Sequence, residues 1–531
     1  MDTLYDLVIR NGKIIDGAGN PLIKKDIGIV DGKIKKIGCI PDEKGKKEIN
    51  AAGMVVSPGF IDLHNHCDQA ILAFPDAESS LMQGVTTSVV GNCGLSMAPV
   101  NKRYIDVLKR YNLPFLQPGF DYEWDWTSFQ EYYEKVQARG IAQNLAPLVG
   151  HGAIRVAVKG FDAGIPSDLE MQEMKHLLSQ AMEEGAFGLS TGLIYPPGSF
   201  SRSEELIDLA SVLKDYEGTY VSHIRNEGAA LIESVDEAIQ IGEINDIPVE
   251  ISHHKAIARS NWGKIHGTLN IMKEARRRDV EVSCDVYPYI AASTTISSLL
   301  PAWVLEGGIE KMLSRIRERN IRKTIIDEIT SGSMLGENLI KGVGWENIYI
   351  TDCPRQPNVE GKNLQEICAT NSYGENLCSA FLEWLLFIQG EDKMAMFGMC
   401  EEDVITVLQE PSTSVISDSW ILNPSGGGKP HPRTYGSFPR VLGRYVREKQ
   451  VLSLEDAVRK MSSQPAAKIG LKKRGLLVED FWADIVIFDP ETISDRATFK
   501  DPHQYPEGIS QVIVRGTVVA EHGKLSGKRP G

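Results

Sequence analysis

Residues 60–66, FIDLHNH, carry two histidines directly after a short apolar run, at the point where a buried strand would end. Four later runs share this arrangement: TTSVVGNCG (86–94), TYVSHIRNE (219–227), VEISHHK (249–255) and TSVISDS (413–419). The side chains that zinc accepts in these runs are His64, His66, Cys93, His223, His253 and Asp418. Barrel enzymes place their chemistry at the carboxyl ends of different strands, so these five endings predict a metal site at the rim of a barrel.

A packed core residue is the usual explanation for a single histidine or cysteine at the end of an apolar run. That explanation would have to apply at all five endings independently. It would also have to account for why the residues offer imidazole nitrogen, thiolate sulfur and carboxylate oxygen, which are the ligands of zinc. We therefore favour a metal site.

The composition describes a large globular chain. It has 531 residues, 42% of them hydrophobic, and a formal net charge of -14 without a block rich in lysine or arginine, so nucleic acid is not an expected partner. No run of about 18 apolar residues predicts a membrane span, and the first residues do not resemble a signal peptide. The eight cysteines form no CxxC pair, which predicts reduced thiols in a cytoplasmic protein.

The middle of the chain alternates strand-like runs with helical periodicity, the pattern of parallel β/α units. The strand-like runs are FIDLH, TTSVV, LAPLVGH, AFGLST, TYVSHI, VEISHH, EVSCDVYPY and SVISDS. Eight such runs predict an α/β fold of the (β/α)8 TIM-barrel type. Ser167 is expected to cap the helix that follows the third run, and Gly185 to end it. The stretch from about 297 to 410 is too long for a loop, so we interpret it as an insertion over the active-site face.

The two ends of the chain show short strands separated by turns. Asn11–Gly12 and Asp31–Gly32 lie between apolar residues, which is the signal of a β-hairpin. Similar sequence returns near the C-terminus in ADIVIFDP and SQVIVRGTVVAEHGK. We predict a β-sandwich-like domain built from residues 1–56 and 471–531, with the metal-dependent barrel at 57–470.

Several longer motifs resemble the D-aminoacylase (N-acyl-D-amino-acid deacylase) family of the amidohydrolase superfamily. They are PGFIDLHNH, GNCG, EGAFGLSTGLIYPPG, HIRNEG, ISHHK and HPRTYGSFPRVLGRYV. The pair of histidines alone is shared with dihydroorotases, hydantoinases and ureases. The combination of GNCG with STGLIYPP and HPRTYG is specific to the D-aminoacylase group, and the match extends over nearly the whole chain.

The resemblance implies a tightly bound zinc on Cys93, His223 and His253. It also implies a second, weaker metal position formed by His64, His66 and Asp418, with Cys93 shared between the two positions. Other binuclear amidohydrolases bridge their metals with a carboxylated lysine from strand four. The residues there are Leu189, Ser190 and Thr191 in this chain, which agrees with a bridging role for the cysteine.

The resemblance also implies residues that hold the substrate. Its α-carboxylate would be bound by Arg433, Lys255, Tyr287 and Ser293, and Tyr195 would lie near the scissile amide. Arginine suits this role because its fork binds a carboxylate through two hydrogen bonds. The family has glycine after the strand-eight aspartate, whereas Ser419 and Trp420 follow here. That difference bears on the shape of the pocket more than on the catalytic role of Asp418.

These observations predict zinc-dependent hydrolysis of N-acyl-D-amino acids to a carboxylate and a free D-amino acid. Thiolate and two neutral imidazoles leave zinc an open position for water, whose pKa the metal lowers, so that hydroxide attacks the acyl carbonyl. Asp418 is our candidate acid/base, with a helix N-cap as its structural alternative. The other functions considered are a cyclic-amide hydrolase, against which the missing strand-four lysine counts, and a non-catalytic scaffold, which would lack metal ligands. The sequence leaves the preferred acyl group, the side chain and the oligomeric state open.

Overall fold

The computed structural model describes residues 4–42, 44–117, 120–332, 334, 336–370, 376–422 and 425–531. The predicted insertion therefore includes residues 333, 335 and 371–375, which lie outside the described residues, as do residues 1–3 and 43 of the predicted N-terminal part. A search of the described helices finds none with the length and apolar character needed to cross a membrane. All eight cysteines are free thiols.

The strands in chain order are β1 Leu7–Ile14, β2 Ile23–Val30, β3 Lys33–Gly38, β4 Glu48–Asn50, β5 Val55–Pro58, β6 Phe60–Asp62, β7 Val85–Val90, β8 Asn144–Pro147, β9 Val149–Gly150, β10 Gly188–Gly192, β11 Thr219–His223, β12 Val249–Ile251, β13 Val282–Val286, β14 Ala292–Thr295, β15 Ile348–Asp352, β16 Lys393–Met396, β17 Thr413–Val415, β18 Ile485–Phe488, β19 Ile509–Val514, β20 Thr517–Glu521 and β21 Lys524–Leu525.

The α-helices are α1 Glu78–Leu81, α2 Ile105–Asn112, α3 Phe129–Arg139, α4 His151–Lys159, α5 Asp168–Glu183, α6 Ser203–Ala210, α7 Leu231–Asn245, α8 Ile265–Arg277, α9 Ile309–Arg317, α10 Arg319–Ser331, α11 Leu339–Val343, α12 Leu364–Thr370, α13 Leu377–Ile388, α14 Glu401–Gln409, α15 Arg433–Arg440, α16 Leu454–Lys460 and α17 Ser463–Lys468. The cap predicted at Ser167 is confirmed, because its side chain accepts the N–H of Glu170 in a capping box. The sequence pattern had not singled out α3 and α4.

The strands of the middle region run parallel in two sheets. One has the order β6-β7-β8 and the other the order β17-β13-β12-β11-β10-β9. Only Leu148 separates β8 from β9, and its backbone N–H donates to the Val90 carbonyl at 2.8 Å. Asn65, just after β6, forms a parallel bridge with Ser419, just after β17. The chain therefore has an α/β fold in which the strand ends that carry the predicted ligands face the same side.

The two ends of the chain pair in a single nine-stranded sheet. Its central contact is the antiparallel pairing of β5 with β18, and β1 lies on the other side of β5. Ile485 and Ile487 of β18 pack into a cluster with β1 and β2, whereas Val486 and Phe488 face the main core of the parallel sheets. Successive side chains of β18 point to opposite faces of the terminal sheet, so one face packs within that sheet's own cluster and the other packs against the core of the parallel sheets.

One predicted hairpin is confirmed and the other is wrong. Asp31–Gly32 forms the turn between the antiparallel strands β2 and β3. Asn11–Gly12 instead lies inside β1, where the pairing with β2 shifts register. Asn11 has a left-handed φ of 60° there, and its backbone N–H donates to Asp26 Oδ1 at 3.2 Å. Asn11 and Gly12 can adopt the left-handed backbone conformation of a turn, and here that conformation forms a β-bulge within β1.

The stretch after β13 contains its own secondary structure. Strands β14, β15 and β16 form an antiparallel sheet in the order β14-β16-β15. Helices α9 to α13 pack on it around a separate hydrophobic cluster. This cluster reaches the mouth of the parallel sheets through Ile257, which follows β12.

Candidate active site

The six ligand candidates lie together at the carboxyl ends of the parallel strands. Cys93 Sγ lies 3.2 Å from His64 Nε2, 3.6 Å from His223 Nδ1 and 3.6 Å from His253 Nε2. All four side chains are buried. His64, Cys93 and His253 form one group whose donor atoms are close enough to share a metal ion. His254, the neighbouring histidine, points elsewhere and contacts Thr268 Oγ1 at 2.7 Å.

A second group shares His64 with the first. Asp418 Oδ1 lies 3.6 Å from His64 Nε2 and 3.3 Å from His66 Nε2. Its other oxygen, Oδ2, forms an ion pair of 2.9 Å with Arg433. Burial alone would raise the pKa of Asp418, but Arg433 and the hydrogen bond from His66 hold that pKa well below its usual range. The carboxylate is therefore ionised, as a metal ligand or a general base must be.

The backbone at three of these residues adopts a conformation that L-residues rarely use. Cys93, His253 and Asp418 have φ values of 54°, 34° and 50°. Non-glycine residues in the left-handed region are uncommon and concentrate at functional sites. Ser190 of β10 stabilises the loop that carries Cys93. Its Oγ accepts the Gly94 N–H at 3.0 Å and donates to the Gly91 carbonyl.

The protonation states of the cluster suit a metal. Burial lowers the pKa of His64 to about 4 and also lowers that of His66, and the pKa values of His223 and His253 lie well below the usual range for the same reason. Burial and the nearby Asp418 carboxylate raise the pKa of the Cys93 thiol. Neutral imidazoles are the form that binds metal, and a divalent cation would convert the thiol to the thiolate.

Two acidic residues that the sequence reasoning missed support the histidines. Glu227 Oε1 lies 3.1 Å from His253 Nδ1 and 3.7 Å from His223 Nε2, and it pairs with Lys255 Nζ at 2.5 Å. Asp285 accepts the backbone N–H of His253 and lies 3.8 Å from His64 Nδ1. Carboxylates in such places orient metal-binding imidazoles. The signal for Glu227 was its position in HIRNEG, four residues after a ligand.

The predicted substrate-binding residues line a cleft of about 830 Å³ next to the ligands. Arg433 lies over the ring of Tyr287, 4.8 Å from its centroid, and donates to the Ser293 carbonyl at 3.3 Å. Lys255 is in the same cleft but is engaged by Glu227 and by His253 Nδ1, at 2.7 Å. Tyr195 stacks edge-on against His223, and its hydroxyl accepts a hydrogen bond of 2.9 Å from Thr294. The structure thus brings all five residues together.

Trp420 forms part of the cleft beside Asp418. Its ring stacks on His66, with 5.1 Å between centroids, and on Phe115, with 5.5 Å. Its indole N–H donates to Gln69 Oε1 at 2.9 Å. The departure from the family pattern noted at this position therefore adds an aromatic wall to the cleft and leaves Asp418 in place.

Comparison with known proteins identifies the class to which this site belongs. The chain matches the amidohydrolase family over residues 47–298 and 417–520, and it belongs to that family. It is 34% identical to a D-aminoacylase of Alcaligenes xylosoxydans xylosoxydans, over 99% of this chain and 97% of the relative. It is 35% identical to an N-acyl-D-glutamate deacylase of the same organism, over 100% of this chain and 96% of the relative.

Among solved structures, an N-acyl-D-glutamate deacylase from Bordetella bronchiseptica superimposes with a TM-score of 0.82 at 33% identity, covering 98% of each chain. That structure contains zinc and a phosphonate inhibitor that mimics the tetrahedral reaction intermediate.

Proposed function

We propose that this chain is a zinc-dependent N-acyl-D-amino-acid deacylase. The observation that carries the proposal is the buried cluster in which Cys93 lies within 3.6 Å of three histidines, beside an ionised Asp418 that Arg433 pairs. Its relatives over the full length of the chain are a D-aminoacylase and an N-acyl-D-glutamate deacylase. These relatives do not favour the alternative functions, a cyclic-amide hydrolase or a non-catalytic scaffold.

The donor set fits zinc. Cys93, His223 and His253 would hold the tight ion, and His64, His66 and Asp418 a weaker one with Cys93 shared. When bound, zinc supplies a Lewis acid that polarises the acyl carbonyl and lowers the pKa of water.

Asp418 performs the proton transfers. Its ionised carboxylate takes a proton from the water whose oxygen bonds to the acyl carbon. The carbon–nitrogen bond then breaks, and Asp418 returns the proton to the leaving amine. The products are a carboxylate and the free amino acid, so one water is consumed and Asp418 is regenerated.

Arg433 and its neighbours hold the substrate's α-carboxylate. A guanidinium has five N–H donors, so Arg433 can bind the substrate while its ion pair with Asp418 persists. Lys255, Tyr287 and Ser293 line the same cleft, and Tyr195 lies against His223, where it would be near the scissile amide. With the acyl carbonyl at the ligand cluster and the carboxylate at Arg433, two points are fixed. The side chain of only one enantiomer then avoids a clash.

The finer architecture belongs to the same proposal. The short gap at Leu148 and the bridge between Asn65 and Ser419 support a closed (β/α)8 barrel. The two faces of β18 support a β-sandwich-like terminal domain. We assign residues 57–470 to the barrel, about 297–410 to its insertion, and 1–56 with 471–531 to the terminal domain. Cytoplasmic location stays a prediction from the cysteines.

The test is hydrolysis of matched N-acetyl-D- and N-acetyl-L-amino acids by the zinc-loaded protein. We expect turnover of the D-substrates and little or none of the L-substrates. Hydantoin and dihydroorotate are included as cyclic amides. Hydrolysis of these rings without turnover of any linear D-substrate would contradict the proposal.

A further inference from the structure

The cleft has an apolar wall as well as charged residues. Ile257, Ile309, Leu339 and Met396 line it, and each is at most 6% exposed. All four belong to the hydrophobic cluster of the insertion rather than to the core of the parallel sheets. Ile309, Leu339 and Met396 of the insertion thus contribute aliphatic carbon to the pocket.

This wall begins beside the residues that hold the substrate's carboxylate. Met396 of β16 pairs with Ala292 of β14, and Ser293 is the next residue along that strand. Ile257 lies two residues after Lys255 on the loop that follows β12. A substrate whose carboxylate is held at Ser293 and Lys255 therefore has aliphatic carbon within reach of its side chain.

The basic residues of the pocket are already paired. Among the described residues that line it, Lys255, Arg433 and Arg110 are the lysines and arginines. Lys255 pairs with Glu227 at 2.5 Å, and Arg433 pairs with Asp418 at 2.9 Å. Both also serve the α-carboxylate in the proposed function, so neither is left for a second carboxylate.

Arg110 is committed through all three of its nitrogens. Nε donates to Glu310 Oε1 at 3.2 Å, Nη1 pairs with Glu391 Oε1 at 2.9 Å, and Nη2 donates to the Gln389 carbonyl at 3.1 Å. These partners all come from the insertion. Arg355 also pairs with Glu391, at 3.3 Å, so the two guanidiniums and the two carboxylates of this cluster balance and leave no positive charge for an acidic side chain.

We propose that the pocket takes N-acyl-D-amino acids with neutral, apolar side chains and rejects those with acidic side chains. This inference rests on the proposed function and adds its substrate class. An aliphatic side chain gains burial against Ile257 and Met396. A side-chain carboxylate loses its water and finds no free cation, which is unfavourable in a buried site. Identity of 34% to the D-aminoacylase and 35% to the glutamate deacylase leaves the two classes undistinguished, so the pairing of Arg110 decides between them.

The first experiment compares kcat/KM of the zinc-loaded enzyme for the N-acetyl derivatives of D-leucine, D-glutamine and D-glutamate. Glutamine and glutamate have nearly the same shape, so their ratio isolates the charge. We expect glutamine to exceed glutamate by about 100-fold, the scale for an unpaired buried charge, and leucine to be the best of the three. A higher value for glutamate overturns the inference while leaving the deacylase function intact.

If none of the three is hydrolysed, the proposed function is wrong. In that case, calorimetry measures the affinity of the protein for the same compounds and tests the side-chain preference separately. Tighter binding of the glutamate derivative than of the glutamine derivative overturns the inference.

The second experiment uses a matched pair of variants. Glu391→Gln removes the less exposed carboxylate partner of Arg110, which is 13% exposed and also pairs with Arg355. Glu310→Gln removes the partner that is 73% exposed. Exposed ion pairs contribute little, so Glu310→Gln should leave the glutamate-to-glutamine ratio within about two-fold. Glu391→Gln should raise that ratio by about ten-fold, because a freed guanidinium can pair with the substrate. An unchanged ratio in Glu391→Gln contradicts the role assigned to the paired arginine.

Discussion

The two proposed ligand groups at the strand ends differ in what else contacts their charged member; the first is Cys93, His223 and His253, and the second is His64, His66 and Asp418. In the first group, the contacts of Cys93 Sγ are with three neutral imidazoles, at 3.2 to 3.6 Å. In the second group, Asp418 already has Arg433 at 2.9 Å, so part of its charge is satisfied before any metal binds. A cation gains more from the first group than from the second. The comparison assigns metal binding mainly to one group and leaves the carboxylate of the other available for proton transfer.

Removing the sulfur should have the largest effect. Cys93→Ala is expected to lower the metal content from about one zinc per chain to almost none and to abolish turnover, because the first group loses its only thiolate. Metal analysis of the purified protein together with the activity assay checks this. Cys284→Ala is the matched control, since Cys284 is also buried on a parallel strand but bonds to Thr413 at 3.3 Å. Full metal and turnover in Cys93→Ala would refute the assignment.

Neutralising the carboxylate should separate metal binding from catalysis. Asp418→Asn keeps the shape of the side chain but removes the base, so kcat is expected to fall by about two to four orders of magnitude while the tight zinc remains. Asp495→Asn provides the control, because Asp495 pairs with Arg440 at 2.8 Å away from the ligand groups. Near-normal turnover in Asp418→Asn would move the proton transfer to another group.

Helix α15 allows a third comparison, between Arg433 at its start and Arg440 at its end. Arg433 lies over Tyr287 and pairs with Asp418, and Arg440 lies over Tyr289 and pairs with Asp495. Arg433→Ala should lower kcat/KM by about 100-fold or more, mainly through KM, since it removes the partner of the substrate's carboxylate. Arg440→Ala should leave KM unchanged.

Substrates with an amidated carboxylate sharpen this test. They should be poor for the unmodified enzyme and lose little more in Arg433→Ala. If the variant discriminates acid from amide as the unmodified enzyme does, then Lys255 is the residue that binds the carboxylate.

The smallest of these effects is expected at the support of the first group. Glu227→Gln retains the size of the side chain but removes the charge next to His253 Nδ1 and Lys255. Loss of such a partner typically costs about 10–100-fold in metal affinity or activity. Competition with a chelator measures the affinity. An unaltered affinity would mean that the imidazoles are oriented without Glu227.

The ligands could be predicted from the sequence because parallel strands bring their carboxyl ends together, whatever the loops do. Each of the eight predicted strand runs overlaps an observed strand, although FIDLH is a strand only over Phe60–Asp62. A metal ligand at a strand end can therefore be predicted as soon as the strand itself is recognised in the sequence. The resemblance then supplied Arg433 and Lys255, which the structure places in the same cleft.

The remaining parts depend on contacts between distant segments, which a local pattern does not contain. Glu227 reaches His253 only through the course of the loop after β11, and Arg110 meets Glu391 across the boundary between α2 and the insertion. The bulge at Asn11 had the local signature of a hairpin, but its neighbours on β2 extended the strand past it. Long-range pairing decided each of these cases.

The sheet built from both ends of the chain has a consequence for biosynthesis. Residues 55–58 pair with residues 485–488, so this layer remains incomplete until residue 488 has left the ribosome. At the usual rate of about 5–20 residues per second, the early strands wait for roughly 20 to 90 s. During that interval β3, with the sequence KIKKIG, presents lysines along its edge. Charged edges discourage pairing with other chains, so these lysines would disfavour aggregation until β18 pairs with β5.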